Sequence, residues 1–514
     1  MPFHSPFPSV DVPDIGVTDH VLGAVLPADE NRCAVVDGDT RLSYGQLNRA
    51  VDDFARRVAD EFDTGDVIAL IGPNSAQWVV AYLGSLAAGL VVTPLNALAT
   101  GDEIAKQVTA SRAVLMMFDN AVANTAFAGA KAAGLHDGVV RSLDNVVLET
   151  DTSASAFVSR RGDLAVLPYS SGTTGAPKGV MLSHRNLVAN LCQLDECLAV
   201  TTDSVVLGLL PFSHIYGMTV VLNLALRRRA SIVIMRSFDV DSLLSLIETH
   251  RLTHLPVAPP VMVALAKSPN VSNMDVSSVQ LVLSGAAPLD ASLAQVVEGR
   301  LGCSVRQAYG MTEMSPVSHI AALGTPEVPA RSVGLTVANM SCKLIDPVTG
   351  TEYETPTTGV SPAGELWCKG PNVMIGYFDN PVATAEALDD DGYLHTGDIA
   401  TIDSKGFVAI VDRLKELIKY KGYQVAPAEL EGLLLEHESI LDAAVVGRSL
   451  GNGDEAPHAF IVRTPDADLT ESAVIDYVQH NVAPYKKIRG VTFIDSIPKT
   501  ASGKILRRDL RMQL

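Results

Sequence analysis

A run of small, polar and flexible residues set directly behind a strand-like apolar stretch constrains this chain more than any other feature. Residues 164–167 are wholly apolar, as a short buried strand requires, and Tyr169-Ser170-Ser171-Gly172-Thr173-Thr174-Gly175-Ala176-Pro177-Lys178-Gly179-Val180 follows. These twelve residues contain three glycines, four serine or threonine hydroxyls and one lysine. Glycines let backbone N–H groups turn towards an anion, hydroxyls add donors, and the lysine adds a charge that strengthens those bonds. The composition is that of a phosphate loop. In kinases and P-loop ATPases such a loop ends in Gly-Lys followed by Ser or Thr. Here Lys178 lies between Pro177 and Gly179, so the hydroxyl that would hold magnesium after the lysine is missing.

A chain of 514 residues exceeds one ordinary core, so two or more domains are expected. The 47% hydrophobic and 19% charged content is that of a well-buried globular protein rather than a disordered one. A formal net charge of -19 disfavours nucleic-acid and anionic-membrane partners, which need a basic face, but still allows a nucleotide, which needs only local positive potential. Cys33, Cys192, Cys197, Cys303, Cys342 and Cys368 form no Cys-x-x-Cys pair, and read as reduced thiols of a cytoplasmic protein. Residues 1–18 show no signal peptide, and Arg511-Met512-Gln513-Leu514 is not a peroxisomal address. Residues 67–101 carry no charge, yet their most apolar part, 79–92, is shorter than a membrane-spanning helix of ~20 residues. That stretch reads as strand 67–71, helix 75–88 and strand 90–93, a buried βαβ unit.

Helical and strand-like runs alternate along most of the chain, which predicts an α/β fold with largely parallel sheets. Expected helices include 46–61, 186–198, 220–226 and 240–250, and expected strands 204–210, 230–235, 255–258 and 279–283. Pro211-Phe212-Ser213-His214-Ile215-Tyr216-Gly217-Met218 leaves one strand, and a histidine among aromatics is by itself most often a packed core residue. Arg227-Arg228-Arg229 reads as a solvated helix C-terminus that complements the dipole. Ser284-Gly285-Ala286-Ala287 puts small residues at a strand's carboxyl end, where a flat ring can approach the backbone. In Gln307-Ala308-Tyr309-Gly310-Met311-Thr312-Glu313 an aromatic can stack, a hydroxyl can donate to phosphate and a carboxylate can hold magnesium. Asp389-Asp390-Asp391 reads as a solvated turn, whereas the carboxylate of Asp398 can accept from two ribose hydroxyls. From 414 the chain reads as a small α+β domain, with helices 428–436 and 471–482, strands 441–446, 459–463 and 491–493, and a surface loop at 448–457.

Taken together and in order, from Leu42-Ser43-Tyr44 to Lys504, these motifs resemble those of the adenylate-forming enzymes: acyl-CoA synthetases, peptide-synthetase adenylation domains and luciferases. The likeness covers nearly the whole chain and is closest to acyl-CoA synthetases of the 4-coumarate–CoA ligase kind. It implies a large N-terminal domain over 1–413, built of α/β layers with mostly parallel sheets, and a small mobile C-terminal α+β domain over 414–514, hinged near Lys415. It also implies ATP, Mg²⁺ and coenzyme A. By resemblance, Ser170, Ser171, Gly172, Thr173, Thr174, Gly175 and Lys178 hold phosphates, and Glu313 and Thr174 hold magnesium. Gly285, Ala286, Ala287, Gln307, Tyr309 and Gly310 form the adenine site, and Asp398 and Arg413 take the ribose. Thr312 donates to the α-phosphate, and Lys504 bridges it to the attacking carboxylate.

His214 matches a residue that gates and orients the acid, whose pocket is lined by Tyr216, Gly217, Met218, Ser284, Pro316 and Val317. Lys419 and Gln424 match residues brought to the site when the small domain turns, and Gly422 matches the gap through which pantetheine passes. No acid lies within 211–218, where peptide-synthetase domains carry an aspartate, so an α-amino acid is disfavoured. The small and apolar pocket fits a medium or long fatty acid or an aryl propenoate better than acetate. The implied activity is acid–CoA ligation with release of AMP and pyrophosphate. Delivery of the acyl group to a carrier protein or to oxygen, and a nucleotide-binding regulator without catalysis, stand as alternatives. The implied partners are a small carboxylic acid, ATP and CoA, with no nucleic acid and no membrane span; monomer and homodimer are both open.

Overall fold

The computed structural model describes residues 2–23, 25–148, 156–170, 177–420, 423–450, 454–465, 467–499 and 505–514, with backbone alone at 423 and 424. An eight-stranded sheet runs in the order Gly376–Tyr377, Lys178–Ser183, Leu164–Val166, Val91–Leu95, Val67–Ile71, Leu115–Phe118, Val140–Ser142, and Tyr169–Ser170 pairs onto Lys178–Ser183. Its strands from Leu164–Val166 to Val140–Ser142 are parallel. A nine-stranded sheet has a parallel centre, Cys33–Asp37, Ser231–Ile234, Val205–Gly208, His254–Val257, Leu281–Ser284 and Ser304–Gly310, with antiparallel strands at both ends. The third sheet is antiparallel and joins Phe3–His4 to Ser341–Ile345, Gly364–Lys369, Leu394–Ile402 and Val408–Arg413.

The charge-free stretch is explained by its place between layers. Val67–Ile71 and Val91–Leu95 pair in parallel, and the helix Ala76–Ala87 that joins them has Trp78, Tyr82 and Leu83 at 0% exposure. A helix without a polar face is stable only inside a protein. Among the described residues no helix is long and apolar enough to cross a membrane.

The small C-terminal domain has its own core. Ile440–Ser449 and Glu455–Arg463 pair antiparallel, Val491–Phe493 adds in parallel, and the helices Pro427–Leu435 and Glu471–Asn481 bury Leu430, Val474 and Val478 against them. Here one expectation is corrected. Residues 448–449 and 455–457 are strand rather than surface loop, since Arg448 faces Ala456 and Ser449 faces Glu455 across the hairpin; residues 451–453 lie outside the described chain.

Two further expectations change for reasons of long-range pairing. The triplet Arg227-Arg228-Arg229 is not a solvated helix end. Arg229 donates to the carbonyls of Val21 and Leu22 and so closes the short helix Val17–Val21, while Arg228 donates to Val200 O at 2.9 Å. The helix expected from 220 begins earlier as a π-helix, Gly217–Asn223, before the α-helical turn Leu224–Arg227. All six cysteines are free, but Cys342 and Cys368 stand opposite each other on adjacent strands with their sulfurs 3.6 Å apart.

One helix ties the layers together around the later motifs. His184–Leu194 directly follows the strand Lys178–Ser183, and its first turn is fixed by a capping box between Ser183 and Asn186. It carries Asn186, Asn190 and Gln193 on one face, at 8%, 0% and 3% exposure. Asn186 Nδ2 donates to Pro371 O and Val373 O, each at 2.8 Å. The Asn190 side chain donates to Val317 O at 2.8 Å and accepts from Val317 N–H at 3.1 Å. Gln193 Nε2 donates to Ala338 O and to Asn372 Oδ1, and Asn372 Nδ2 donates in turn to Met314 O and Val317 O. Segments 314–317 and 371–373 pass through the interior, where each backbone polar group needs a partner, and these side-chain amides supply several of them.

Replacing Asn190 by alanine strips the buried N–H and carbonyl of Val317 of this partner, and should lower unfolding stability by about 2–4 kcal/mol. Urea unfolding monitored by circular dichroism measures this. A loss below about 1 kcal/mol would show that the amide is replaceable.

Candidate active site

The carboxyl ends of two parallel strands, the entry to the phosphate loop and the start of the antiparallel sheet converge on two acidic side chains. The first is Glu313, in the 3₁₀ turn Thr312–Met314 and 4% exposed. Ser170 Oγ donates to its Oε1 at 3.0 Å, and Tyr377 OH donates to the same atom at 2.9 Å. Tyr377 is delivered by strand pairing, since it stands opposite Val180 on the strand leaving the phosphate loop. Lys178 Nζ lies 4.8 Å from the centre of the Tyr377 ring. Burial, then the charge of Glu313, pushes the Tyr377 phenol up, so it stays a hydrogen-bond donor.

Both hydroxyl bonds land on one oxygen of Glu313. Among the described residues its Oε2 has no hydrogen bond, and no lysine or arginine pairs with the carboxylate. A buried carboxylate held by neutral donors, with one oxygen to spare, suits a hard cation, and Mg²⁺ fits this position. Thr174, the other candidate ligand, lies outside the described residues, as do Ser171, Gly172, Thr173, Gly175, Gly422 and Lys504.

The second acid is Asp398, 5% exposed on the strand Leu394–Ile402 and directly opposite Arg413. Arg413 Nε lies 3.3 Å from its Oδ1, and Tyr309 OH donates to its Oδ2 at 2.6 Å. Burial, and next the charge of Asp398, pushes the Tyr309 phenol well up. The three side chains fix one another. Ser284 and Gln307 face each other on neighbouring parallel strands, and Gln307 Oε1 accepts from Leu289 N–H at 3.3 Å. This ties the segment after Ser284 to Gln307, with Ala286 in the left-handed region at φ 71°. Two glycines are required by close approach. A Cβ on Gly285 would lie 2.7 Å from the Tyr216 ring, and one on Gly310 would lie 2.0 Å from Pro316 O.

On the acid side, Tyr216 OH donates to Leu283 O at 3.0 Å, and Tyr216 N–H donates to His214 Nδ1 at 3.2 Å. A ring that accepts at Nδ1 carries its proton on Nε2 when neutral. Desolvation lowers His214 to about 4, so the neutral form prevails near pH 7. Met218, the second residue of the π-helix, is 0% exposed, and Val317 is 3% exposed next to Pro316. Among the described residues the buried hydroxyls of Ser284 and Ser315 have no hydrogen-bond partner.

Other expected residues stand elsewhere. Thr312 is half-buried beside Glu313. Lys415 is exposed in the turn that follows the strand Val408–Arg413. Lys419 is exposed on the hairpin of Ile418–Tyr420 with Tyr423–Val425, opposite Gln424, and its backbone N–H donates to Glu455. Tyr377 was missed by sequence reasoning, because nothing local marks it; only its pairing with Val180 brings it to Glu313.

The chain matches the AMP-binding enzyme family over residues 26–378 and the AMP-binding enzyme C-terminal domain over residues 429–504. It belongs to the AMP-binding enzyme family. It is 40% identical to a 4-coumarate–CoA ligase of Oryza sativa subsp. japonica, over 100% of this chain and 97% of that protein. Among solved structures it is similar to ATP-bound MatB from Rhodopseudomonas palustris, 29% identical, with a TM-score of 0.87 over 97% of this chain and 99% of the other. It is also similar to o-succinylbenzoate CoA synthetase, MenE, from Bacillus subtilis in complex with its acyl-adenylate, 25% identical, with a TM-score of 0.82 over 96% and 98% of the two chains.

The state of His214 in this AMP-binding enzyme has a measurable consequence. The unfolded chain takes up the imidazole proton near pH 6.5, the folded chain only near 4, so this residue costs stability as pH falls through that window. Imidazole NMR should show a ring that stays neutral, protonated at Nε2, between about pH 5 and 8. A His214 that titrates near 6.5 would contradict the site's desolvation.

Proposed function

We propose that this ATP-dependent, AMP-forming acid–CoA ligase activates a fatty or aryl carboxylic acid between Glu313 and His214, and passes it to coenzyme A after the small domain turns. The observation that carries this reading is the pair of fixed acids. Glu313 is held by Ser170 and Tyr377, and Asp398 by Tyr309 and Arg413. The first suits the metal–triphosphate end of ATP and the second its ribose. Full-length similarity to 4-coumarate–CoA ligases supports an aromatic acid, and the apolar residues around Tyr216 support an aliphatic one equally well.

In the first half-reaction Asp398 accepts from the ribose hydroxyls, and the adenine lies against Tyr309 and the 285–287 backbone, bordered by Gln307 and Gly310. Ser170, the loop that follows it, Lys178 and Thr312 donate to the phosphates. Glu313 and Thr174 would hold Mg²⁺, which would supply charge neutralisation at the phosphates. His214 donates from Nε2 to the acid and orients it. The acid's carboxylate attacks the α-phosphorus, an O–P bond forms, the bond to the β-phosphate's bridging oxygen breaks, and pyrophosphate leaves. Lys504 bridges the attacking oxygen and the α-phosphate, so most of the effect is positioning and charge stabilisation.

For the second half-reaction the domain from 414 to 514 rotates about Lys415. A boundary there is supported by the end of the large domain's last strand at Arg413 and by a separate core that begins at Ile418. Rotation withdraws Lys504, brings Lys419 and Gln424 to the site and lets pantetheine pass at Gly422. The CoA thiol then attacks the acyl carbonyl, its proton is lost, and AMP leaves with the bridging oxygen. A cytoplasmic location accompanies this reading and is supported by six free thiols.

Three variants test these roles. Lys504→Ala should abolish pyrophosphate exchange, by about 100-fold or more, yet still convert supplied acyl-adenylate to thioester; Lys419→Ala should show the reverse bias. Equal loss in both half-reactions for either variant contradicts its role. Tyr377→Phe removes one of two hydroxyls on Glu313, and should raise the Mg²⁺ needed for half-maximal exchange about tenfold. An unchanged Mg²⁺ dependence would argue against Glu313 as the metal ligand.

A further inference from the structure

Residues 500–504 lie outside the described chain, but both flanks of this stretch are anchored. Lys499 and Ile505 form an antiparallel bridge, and Leu506 N–H donates to Pro498 O at 2.8 Å. Lys499 Nζ pairs with Asp442 Oδ2 at 2.6 Å. On the far side, Arg507 turns into the interior of the small domain. Its Nη1 lies 2.8 Å from Glu416 Oε2, its Nη2 donates to both oxygens of Glu431 at 2.8 and 2.6 Å, and its Nε donates to Val445 O at 3.4 Å. The side chains of Arg507, Glu416 and Glu431 are 11%, 11% and 10% exposed.

These contacts reach three separate elements. Glu416 is in the turn directly after Lys415, Glu431 is on the helix Pro427–Leu435, and Val445 is on the strand Ile440–Ser449. Val445 N–H also donates to Glu431 Oε1 at 2.8 Å. A further acid faces the group from the large domain's last strand. Asp412 accepts from Ala428 N–H at 3.0 Å and from Arg413 N–H at 2.7 Å. Burial raises Asp412 to about 6 and Glu431 to about 7. Among the described residues, Arg507 is the cation on which Asp412, Glu416 and Glu431 all bear.

We propose that Arg507 is a positioning residue that locks the segment carrying Lys504 to the hinge turn at Glu416, so that the two move as one body. The proposal rests on the assignment of Lys504 to adenylation. Arg507 follows Lys504 by three residues in the sequence. Folding alone does not call for such a device. A buried ion pair adds little stability over well-packed apolar side chains, and Leu510, at 0% exposure, already anchors the end of the chain in an apolar cluster. What the guanidinium fork adds is direction, since its donors accept partners only at fixed angles. Lys504 must reach the α-phosphate in one domain orientation and leave in the other, and a rigid link to the hinge turn makes its path follow the rotation.

The test compares Arg507→Met, which keeps length without charge, with Glu416→Gln, which weakens only the link to the hinge and leaves the Glu431 pair in place. Pyrophosphate exchange, thioester formation from supplied acyl-adenylate and the thermal midpoint are measured on the full chain, with Lys504→Ala beside them. Arg507→Met is expected to slow exchange about 100-fold, with KM for ATP changed less than about twofold and thioester formation less than about threefold. Glu416→Gln is expected to show the same bias, more weakly. Equal loss in both half-reactions, or loss in neither, overturns the proposal, and should Arg507→Met not fold, Glu416→Gln decides by the same criterion. If Lys504→Ala leaves exchange intact, the reading of Lys504 fails and the proposal with it. If Lys504→Ala abolishes exchange while both other variants retain it, only the coupling fails.

Discussion

The site depends on the buried amides of one helix. Asn186, Asn190 and Gln193 give partners to backbone that crosses the interior without regular pairing, at 314–317, 338 and 371–373. The same helix follows the strand Lys178–Ser183, so this strand and the turn bearing Glu313 are held by one rigid element. Tyr377 enters four residues after Val373, and its hydroxyl meets Ser170 on Glu313. Without the amides these crossings would leave polar groups unpaired, at about 1–3 kcal/mol each, and the carboxylate would lose its fixed donors.

Charge is handled differently at the two ends of the protein. In the large domain Glu313 is kept buried by neutral hydroxyls, which leaves it able to take a cation, while Asp398 is shared between a phenol and Arg413. Around Arg507 of the small domain, Glu416, Glu431 and the large domain's Asp412 crowd one guanidinium, and the cluster lies against the turn about which that domain would move. The net charge of -19 is therefore no obstacle to an anionic substrate, because the relevant potential is set locally by Lys178, Arg413 and the backbone.

Local signals in the sequence carried much of this. The apolar run before the phosphate loop is the strand Leu164–Val166, the alternation around 240–257 is the helix Val240–His250 and the strand His254–Val257, and the charge-free stretch is a buried βαβ unit. The motif at 307–313 brought Tyr309, Thr312 and Glu313 to notice by residue type. What stayed hidden is non-local. Tyr377 acts through a strand partner nearly 200 residues away, Phe3–His4 pairs with Ser341–Ile345, and Arg229 serves a helix at 17–21. The π-helix at 217–223 has the same apolar composition as an α-helix, so no spacing distinguishes it. Arg507 belongs here too, since only the fold gives it Glu416 and Glu431.

The central claim is that the acid's own oxygen attacks the α-phosphorus at this site before CoA takes the acyl group. Acid labelled with oxygen-18 in its carboxylate tests it directly, since thiolysis of an acyl-adenylate leaves the bridging oxygen on AMP. The account predicts AMP carrying one labelled oxygen for every thioester formed. Unlabelled AMP, or labelled inorganic phosphate in its place, would contradict it.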